Sequence, residues 1–192
     1  MKLGNYCSKI GSGATPRGGK GSYKTEGIPL IRSQNIHDWD FKTHGLAYLD
    51  NDQAEALSSA TVYPGDVLLN ITGDSVARAC LVPENITPAR VNQHVAIIRP
   101  TDSLCSTYLL AFLQQHKALL LKLASSGATR NALTKSMIEE IDVSFPPINV
   151  QKRICAILDV IQQKITLNTR INDHLGWRLH RRMLVFLNLS CI

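Results

Sequence analysis

The most constraining feature of the sequence is a heptad pattern near its C-terminal end. From Ile154, steps of four and three residues alternately reach ten positions up to Phe186, and seven of these are apolar. The positions that we assign to a helix–helix seam are Ile154, Leu158, Ile161, Ile165, Asn168, Asn172, Leu175 and Leu179. A narrow apolar stripe with this period is typical of a coiled-coil helix. We therefore predict one long helix over 149–192 that pairs with another helix.

The length of this helix favours a projecting rod. A helix of nearly forty residues extends roughly 55 Å at 1.5 Å per residue, which exceeds the width of a domain of this size. Asn168 and Asn172 lie in the middle of the seam, where paired amides fix the register of two helices. We predict that two copies pair antiparallel along the seam, with a domain at each end. The alternative is a helix that packs back onto its own domain.

The remaining residues, 1–148, combine turn signals with short apolar runs. Strands are predicted in IPLIRS, YPGDVLLNIT, ACLVP and HVAIIRP, an amphipathic helix over 102–122, and a short helix over 134–140 with Thr134 as its N-cap. Because strands and helices do not alternate as in a βαβ fold, we predict an α+β class. The expected architecture is one globular α+β domain over 1–148, followed by a long projecting C-terminal coiled-coil helix over 149–192.

The positive charge is concentrated at both ends of the chain. Of a net charge of +6, residues 1–24 carry five Lys and Arg with no acid, and residues 151–192 carry seven with two acids. This distribution favours a polyanion as partner, although solvated surface charge is the alternative. The sequence holds no apolar run of membrane length, no secretory signal, and an odd number of cysteines, five in all. We therefore expect a soluble, cytoplasmic protein without a membrane association.

Several apparent catalytic motifs lack the context that they need. Gly11–Gly13 is not followed by a phosphate-binding G-K-[ST] sequence, and Ser144–Pro147 lacks the amide of the N-P-P-aromatic motif of amino-methyltransferases. The ligand-type residues of His37–Asp40 are nearly consecutive, which favours a polar turn over a metal site. Glu139 and Glu140 are adjacent and so lie on different flanks of a helix. We expect no catalytic residue, no metal and no cofactor in this chain.

Polar loops supply the more informative candidates. Arg, Lys, Asn and Gln side chains recognise base edges, and Ser, Thr and Lys hold phosphates. The candidate DNA-contacting residues are Thr15, Arg17, Lys20, Lys24, Arg32, Ser33, Gln34, Asn35, Asn70, Arg78, Arg90, Asn92, Gln93, Arg130, Asn131 and Lys135. They fall into five groups, within residues 15–24, 32–35, 70–78, 90–94 and 129–135. Each group by itself is compatible with a solvated surface loop, whereas five such groups together favour DNA binding.

Ordered motifs connect the chain to a known family. They are GSGATP, GIPLIRSQNI, PGDVLLNITG, VNQHVAIIRP, SSGATRNALTKSMIEEIDVSFPPINVQKRI and LDVIQQKITLNTRINDHL. With these motifs the chain resembles the specificity subunit of type I restriction–modification enzymes. The resemblance implies two target-recognition domains in a full-length subunit, each reading half of a bipartite site in double-stranded DNA. Two long antiparallel helices set the spacing and dock adenine methyltransferase subunits, and a nuclease/translocase subunit joins that core.

On this resemblance the chain corresponds to half a subunit, with one recognition domain and one helix. It would dimerise through that helix and contribute no catalysis, since S-adenosylmethionine would bind to the partner methyltransferase. Two segments depart from the family pattern. Gln151–Arg153 replaces the usual Glu-Gln at the helix start, and the ending MLVFLNLSCI lacks the expected aromatic and acidic residues. The alternatives are a stand-alone nucleic-acid-modifying enzyme and an orphan interaction protein without DNA function.

Overall fold

Short strands and helices make up the fold, as the sequence pattern predicts. The computed structural model describes the backbone of residues 1–125 and 131–189, and their side chains except those of Lys20 and residues 176–189. The strands are β1 (Cys7–Ser12), β2 (Ile28–Ile31), β3 (Ile36–His37), β4 (Asp40–Phe41), β5 (Ala47–Leu49), β6 (Thr61–Val62), β7 (Val67–Asn70), β8 (Ala79–Leu81), β9 (Ala89–Val91) and β10 (Val95–Pro100). The α-helices are α1 (Asn51–Ala56), α2 (Ser106–Gln115), α3 (Lys117–Ser125), α4 (Lys135–Glu139) and α5 (Ile148–Leu189).

The strands form two four-stranded sheets and a small hairpin. The first sheet has the order β1-β10-β7-β8, and every neighbouring pair in it is antiparallel. The second sheet has the order β5-β2-β9-β6, in which only β2 and β9 run parallel. Strands β3 and β4 pair with each other alone.

The apolar runs of β7 and β10 are continuous because both faces of the first sheet are covered. Along β7, Val67 and Leu69 pack into one core cluster, whereas Leu68 packs into another. Along β10, Ala96 and Ile98 join the first cluster, and Val95 and Ile97 join the second. Successive side chains of a strand point to opposite faces, so a strand covered on both sides needs apolar residues at every position.

These clusters order the elements into layers. The first cluster lies between the first sheet and helices α2, α3 and α4. The second lies between the two sheets and includes Ile31 and Val91. The third packs β2 and β5 of the second sheet against α1, through Leu30, Leu49 and Ala54. The α+β class predicted from the sequence is therefore confirmed.

The helices agree with the sequence pattern except at one break. The single amphipathic helix predicted over 102–122 is two helices, because α2 ends at a cap on His116 before α3 begins. The His116 backbone N–H still donates to the carbonyl oxygen of Phe112 at 3.0 Å, and the two rings stack with centroids 4.1 Å apart. Thr134 is the N-cap of α4, as predicted, and its hydroxyl accepts from the Met137 N–H at 3.2 Å.

The strand prediction was correct in four places and incomplete in others. Strands β2, β7, β8 and β10 lie within the predicted runs. Strand β1 (Cys7–Ser12) lies outside the predicted runs. Helix α1 was not predicted, although Asp50 and Gln53 form a reciprocal capping box at its start.

The C-terminal helix α5 is 42 residues long and matches the long helix predicted from the heptad pattern. The chain divides into two compact units, Met1–Arg153 and Ile154–Ile192, so the first turn of α5 belongs to the first unit. The predicted domain boundary lay slightly earlier, between residues 148 and 149. No helix among the described residues has both the length and the hydropathy needed to cross a bilayer.

Candidate nucleic-acid interface

Strand ends bring most of the polar loops to one end of the first sheet. Strands β1 and β7 finish where their antiparallel partners β10 and β8 begin, since Ser12 pairs with Ala96 and Asn70 pairs with Val95. On the other side of β7, Leu69 pairs with Ala79 at the start of β8. The segments that follow β1 and β7 and that precede β8 and β10 are therefore neighbours.

The second sheet adds two more loops at the same place. Strands β2 and β9 are parallel, with Ile31 opposite Val91, so they finish together. Only Asn92–His94 separates the end of β9 from the start of β10, and the Asn92 N–H donates to the Ile31 carbonyl oxygen at 3.1 Å. We call the resulting surface the loop edge, defined as residues 13–17, 32–35, 70–78, 92–94 and 131–133.

Gly13 allows the first of these loops to pass close to β9. A Cβ atom built on Gly13 would overlap the carbonyl oxygen of Val91, and the Gly13 N–H donates to the Asn92 carbonyl oxygen at 3.2 Å. Only glycine permits such a close approach of two backbones. Gly13, the last residue of the Gly-Ser-Gly sequence, thus has a structural role here.

Thr72 and His94 join the loops that flank β7 and β10. The Thr72 hydroxyl lies 2.6 Å from His94 Nδ1, and the Ile71 N–H donates to the His94 carbonyl oxygen at 3.0 Å. The neighbouring Gln93 side chain contacts both Thr15 and His94. Its Oε1 accepts from the Thr15 hydroxyl, and its Nε2 lies 3.1 Å from His94 Nε2. These contacts connect the loops after β1, β7 and β9.

Asn70 organises the loop after β7 from inside. Its fully buried side chain donates through Nδ2 to the Ser33 carbonyl oxygen at 3.0 Å and to Ser75 Oγ at 3.1 Å. Its backbone N–H donates to the Arg78 carbonyl oxygen at 2.8 Å, and its backbone carbonyl oxygen accepts from the Ala77 N–H at 2.9 Å. Ala77 has a positive φ of 67°, a strained conformation that this bonding sustains. Arg78 is half-buried at the end of this loop.

The segment before α4 also reaches the loop edge. The Leu133 N–H donates to the Ile71 carbonyl oxygen at 2.8 Å, and Gly73 donates to the Asn131 carbonyl oxygen at 3.4 Å. The side chain of Asn131 is exposed beside the loop after β7. Arg130, the other candidate of this group, lies outside the described residues.

In the loop after β2 the candidates divide into buried and accessible side chains. Asn35 is fully buried, and its amide donates to the Lys42 and His44 carbonyl oxygens at 2.9 and 3.3 Å. Arg32 and Gln34 both donate to the Gly45 carbonyl oxygen, and the Arg32 guanidinium lies 5.3 Å from the centre of the Tyr23 ring. Ser33 and Arg32 are half-buried, whereas Gln34 is exposed.

Two further candidates are also turned inward. Arg90 is buried within β9 and donates to the carbonyl oxygens of Ala54 and Ala89 at 2.9 and 3.1 Å. Asn92 is buried, and its Oδ1 accepts from the His94 N–H at 3.1 Å. Both side chains therefore stabilise the elements that support the loop edge.

Arg17 lies on the outer flank of the loop after β1. Its side chain is exposed and, with Thr15 and Pro16, it lines an open cleft of about 570 Å³. The opposite wall is formed by α1 residues Asp52 and Gln53, with Ala56 and Leu57. Lys20 follows in a short 3₁₀ segment, and its side chain is outside the described part of the structure.

Two lysines lie apart from the joined loops. Lys24 pairs with Asp50 at 3.2 Å, at the end of β2 opposite to the loop edge. The hydrogen bond from the Gln53 N–H, and to a smaller extent Lys24, hold the pKa of the Asp50 carboxyl below its usual value. Lys135 is exposed on α4 and lies 3.5 Å from Glu139 of the same helix.

The described residues offer little nucleophilic or metal-binding chemistry. Burial raises the pKa of the Cys80 thiol to about 12, and burial with the nearby Glu139 carboxylate does the same for Cys7. Both thiols are therefore protonated at neutral pH and are poor nucleophiles. Among the described side chains, in residues 1–125 and 131–175, no three His, Cys, Asp or Glu residues are grouped as metal ligands.

Gln151 has a role that sequence reasoning did not reveal. Its side chain is buried in the first turn of α5 and accepts from the Cys105 N–H at 3.0 Å. It also donates to the carbonyl oxygens of Ser103 and Pro146, at 3.1 and 2.9 Å. Nothing in the local pattern distinguishes this glutamine from an exposed one, because its partners Ser103 and Cys105 lie more than 40 residues away in sequence. The joining role of Thr72 and His94 was missed for the same reason.

Comparison with protein families shows to which family the chain belongs. Residues 8–176 match the family model of the type I restriction modification DNA specificity domain. The chain belongs to this family. The match covers β1 to the middle of α5, so it includes the whole loop edge. The resemblance inferred from the ordered motifs is confirmed.

Solved structures of specificity subunits have the same fold. A chain from a structural study of complex assembly and conformational transition of the type I R-M system is 26% identical, with a TM-score of 0.66 over 94% of this chain and 42% of that chain. The HsdS subunit from Thermoanaerobacter tengcongensis is 25% identical, with a TM-score of 0.65 over 88% of this chain and 38% of that one. The type I S subunit from M. genitalium, at 13% identity, supports the fold alone, with a TM-score of 0.61 over 86% of this chain and 39% of that chain. This specificity domain thus spans about two fifths of the length of those chains.

Proposed function

We propose that this chain is the non-catalytic DNA-recognition subunit of a type I restriction–modification enzyme, and that its loop edge reads the sequence of double-stranded DNA. The observation that carries the proposal is the convergence of the polar loops. Four of the five candidate groups meet at the ends of β1, β2, β7 and β9, and the segment before α4 joins them. A surface that gathers donors and acceptors from several loops on two rigid sheets suits sequence recognition.

Within this proposal the candidate residues have two roles. The accessible side chains contact base edges, and they are Gln34, Arg78, Gln93 and Asn131. The buried side chains of Asn35, Asn70, Arg90 and Asn92 hold the loops in shape. Arg32 and Ser33 are half-buried and Thr15 is exposed, and we assign all three to positioning their neighbours.

The phosphate contacts come from basic residues around the loop edge. Arg17 is exposed beside it, and Lys20 follows within the same basic segment. Lys24 and Lys135 lie further out, where each already has an acidic neighbour. We expect these residues to contribute affinity that falls with salt and does not depend on sequence.

We further propose that two copies pair through α5. In the isolated chain the seam residues Ile154, Ile161, Ile165 and Leu175 are all exposed on this helix. Leu158 is half-buried, Asn168 and Asn172 are exposed, and the side chain of Leu179 is outside the described part. An antiparallel partner would bury this stripe, and a symmetric dimer would read a palindromic bipartite site.

The assembled enzyme supplies the chemistry in this proposal. Adenine methyltransferase subunits dock on the dimer and bind S-adenosylmethionine, and a nuclease/translocase subunit joins them. Extrusion of the target adenine from the duplex would take place in the methyltransferase. This chain selects the site and holds the two half-sites at a set distance.

Selection from random duplexes tests the recognition role. The full chain should enrich a bipartite sequence, and Gln34→Ala should relax the preference at one base position. Arg17→Ala, in contrast, should weaken binding to all duplexes and reduce the salt dependence. Enrichment of no sequence, with or without methyltransferase subunits, would contradict the proposal.

Co-purification tests the assembly. Expressed with an adenine methyltransferase subunit of this enzyme class, the chain should form a stable complex that methylates a defined bipartite site. The chain alone should neither bind S-adenosylmethionine nor transfer a methyl group. Methyl transfer by the purified chain would favour a stand-alone modifying enzyme instead.

A further inference from the structure

Four side chains at the centre of the loop edge form one hydrogen-bonded array. Thr15 donates to Gln93 Oε1, Gln93 Nε2 lies 3.1 Å from His94 Nε2, and His94 Nδ1 lies 2.6 Å from Thr72 Oγ1. These residues come from the loops after β1, β9 and β7. The array therefore continues across the surface instead of stabilising a single loop.

The order of donors and acceptors in this array follows from the orientation of the Gln93 amide in the structure. The Gln93 amide nitrogen has only N–H groups, so it is the donor in its contact with His94 Nε2. His94 Nε2 is then an acceptor, which places the imidazole proton on Nδ1, facing the Thr72 hydroxyl. Thr15 donates its O–H to the amide oxygen at the other end. The Thr15 hydroxyl can donate or accept, so it is compatible with either end of the amide, whereas an accepting His94 Nε2 is compatible only with the amide nitrogen.

The same contacts leave Gln93 able to bind a ligand. An amide oxygen has two lone pairs and an amide nitrogen has two N–H groups, and the array uses one of each. The Gln93 side chain is exposed, whereas His94 and Thr72 are half-buried beside it. One donor and one acceptor in a fixed order thus remain available at the surface.

A fixed donor and acceptor pair of this kind matches one base. The major-groove edge of adenine presents the N7 acceptor beside the N6 donor, and a glutamine amide binds both at once. We propose that Gln93 reads an adenine and that His94, held by Thr72, is the positioning residue that sets the orientation of the Gln93 amide. This inference rests on the proposed DNA-recognition function and adds a base identity and a mechanism to it.

Binding-site selection with variants of the full chain tests the reading role. Wild type should select an adenine at one position, and Gln93→Leu should reduce that preference by about ten- to hundredfold. Gln93→Glu replaces the amide nitrogen with a second acceptor, so we expect the preferred base to change from adenine to cytosine. An unchanged preference in both variants would overturn the inference while the recognition function stands.

A matched pair of substitutions tests the positioning role. His94→Phe keeps a flat ring but loses both nitrogens, and it should lower the adenine preference by about tenfold. His94→Gln retains an acceptor toward Gln93 and a donor toward Thr72, and it should keep the preference within about threefold. Thr15→Val and Thr15→Ser form the same comparison at the other end. A uniform loss of affinity for all duplexes in His94→Phe would indicate a merely structural role and would overturn the assignment.

Nuclear magnetic resonance of the full chain labelled with ¹⁵N-histidine tests the array without DNA. His94, assigned among six histidines by its absence from the His94→Gln spectrum, should be protonated at Nδ1 and bare at Nε2. A proton on Nε2 would require the reversed Gln93 amide and would overturn the inference. If wild type enriches no sequence, the recognition function itself fails, and the reading role fails with it.

Discussion

The Asn70 side-chain amide donates to the Ser33 carbonyl oxygen at 3.0 Å and joins the end of β7 to the loop after β2. The two residues are 37 positions apart in sequence; Asn70 ends a strand of the first sheet, whereas Ser33 follows a strand of the second. Asn70 is fully buried, and among the described atoms its Oδ1 has no hydrogen-bond partner. The loop edge thus depends on one buried amide that connects the two sheets.

Removing this amide should destabilise the first unit. Asn70→Ala leaves the Ser33 carbonyl without its donor, and we expect a loss of about 1–3 kcal/mol in the free energy of unfolding. Urea unfolding followed by circular dichroism measures it. The exposed Asn131→Ala is the control and should change stability by less than about 0.5 kcal/mol. Equal effects of both substitutions would contradict the role given to Asn70.

Two glycines of the same motif should respond differently to alanine. A Cβ on Gly13 would overlap the Val91 carbonyl oxygen, whereas a Cβ on Gly11 would meet no atom within 4 Å. Gly13→Ala should therefore cost about 1–3 kcal/mol and weaken DNA binding, since the loop after β1 must move. Gly11→Ala should be close to neutral. Thermal unfolding of the two variants, together with duplex binding, distinguishes them, and a neutral Gly13→Ala would argue against the close approach.

The proposed pairing through α5 is tested by two substitutions of similar exposure. Ile165 is 53% exposed and lies in the seam, whereas Leu167 is 57% exposed and lies outside it. Ile165→Asp removes roughly 1.5–3 kcal/mol of apolar burial in each chain of the dimer, so its dissociation constant should rise at least tenfold. Leu167→Asp should leave the dimer intact. Light scattering over a concentration series measures both, and a wild-type chain that stays monomeric would refute the pairing.

Stability should depend on the ionisation of Asp38 at acidic pH. Burial opposes the charge of this carboxyl, but hydrogen bonds from Lys117 and Gln114 outweigh burial and hold its pKa below the usual 3.8. Because the folded-state pKa is lower than the unfolded one, the contribution is present above about pH 4 and is lost as pH falls through the folded value.

The Asp38 contribution is small because the pair is partly exposed, and we expect at most about 1 kcal/mol. Asp38→Asn should remove it, so the stability difference between wild type and variant should shrink as pH falls below 4. Urea midpoints between pH 3 and pH 6 measure this, with Asp102→Asn, at an exposed site, as control. A difference that stays constant with pH would count against the ion pair.

Cys7 and Cys80 should resist alkylation in the folded protein. With a pKa of about 12, either thiol is ionised in roughly one molecule in ten thousand at pH 8. Iodoacetamide followed by peptide mass spectrometry should detect both as unmodified under native conditions and as fully modified after unfolding in guanidinium. Rapid native labelling of Cys80 would show that its strand opens readily.

Much of the fold could be predicted from local pattern. The period of 3.5 residues indicated α5, and continuous apolar runs indicated β7 and β10, because burial on one or both faces imposes those periods on the sequence itself. The Thr134 N-cap could also be predicted from the sequence, since a cap bonds to a backbone N–H only three residues away. Polar side chains in the loops also identified most of the segments that meet at the loop edge.

What the sequence could not reveal is which polar residues turn inward. Gln34 and Asn35 are neighbours, as are Asn92 and Gln93, yet one of each pair is buried and the other exposed. The buried members bind carbonyl groups and N–H groups of a folded loop, and these exist in place only once the strands have paired. The array from Thr15 to Thr72 likewise needs β1, β7 and β10 side by side. Periodic burial is encoded locally and by the sequence alone, whereas the direction of a loop side chain depends on backbone brought from distant segments by tertiary structure.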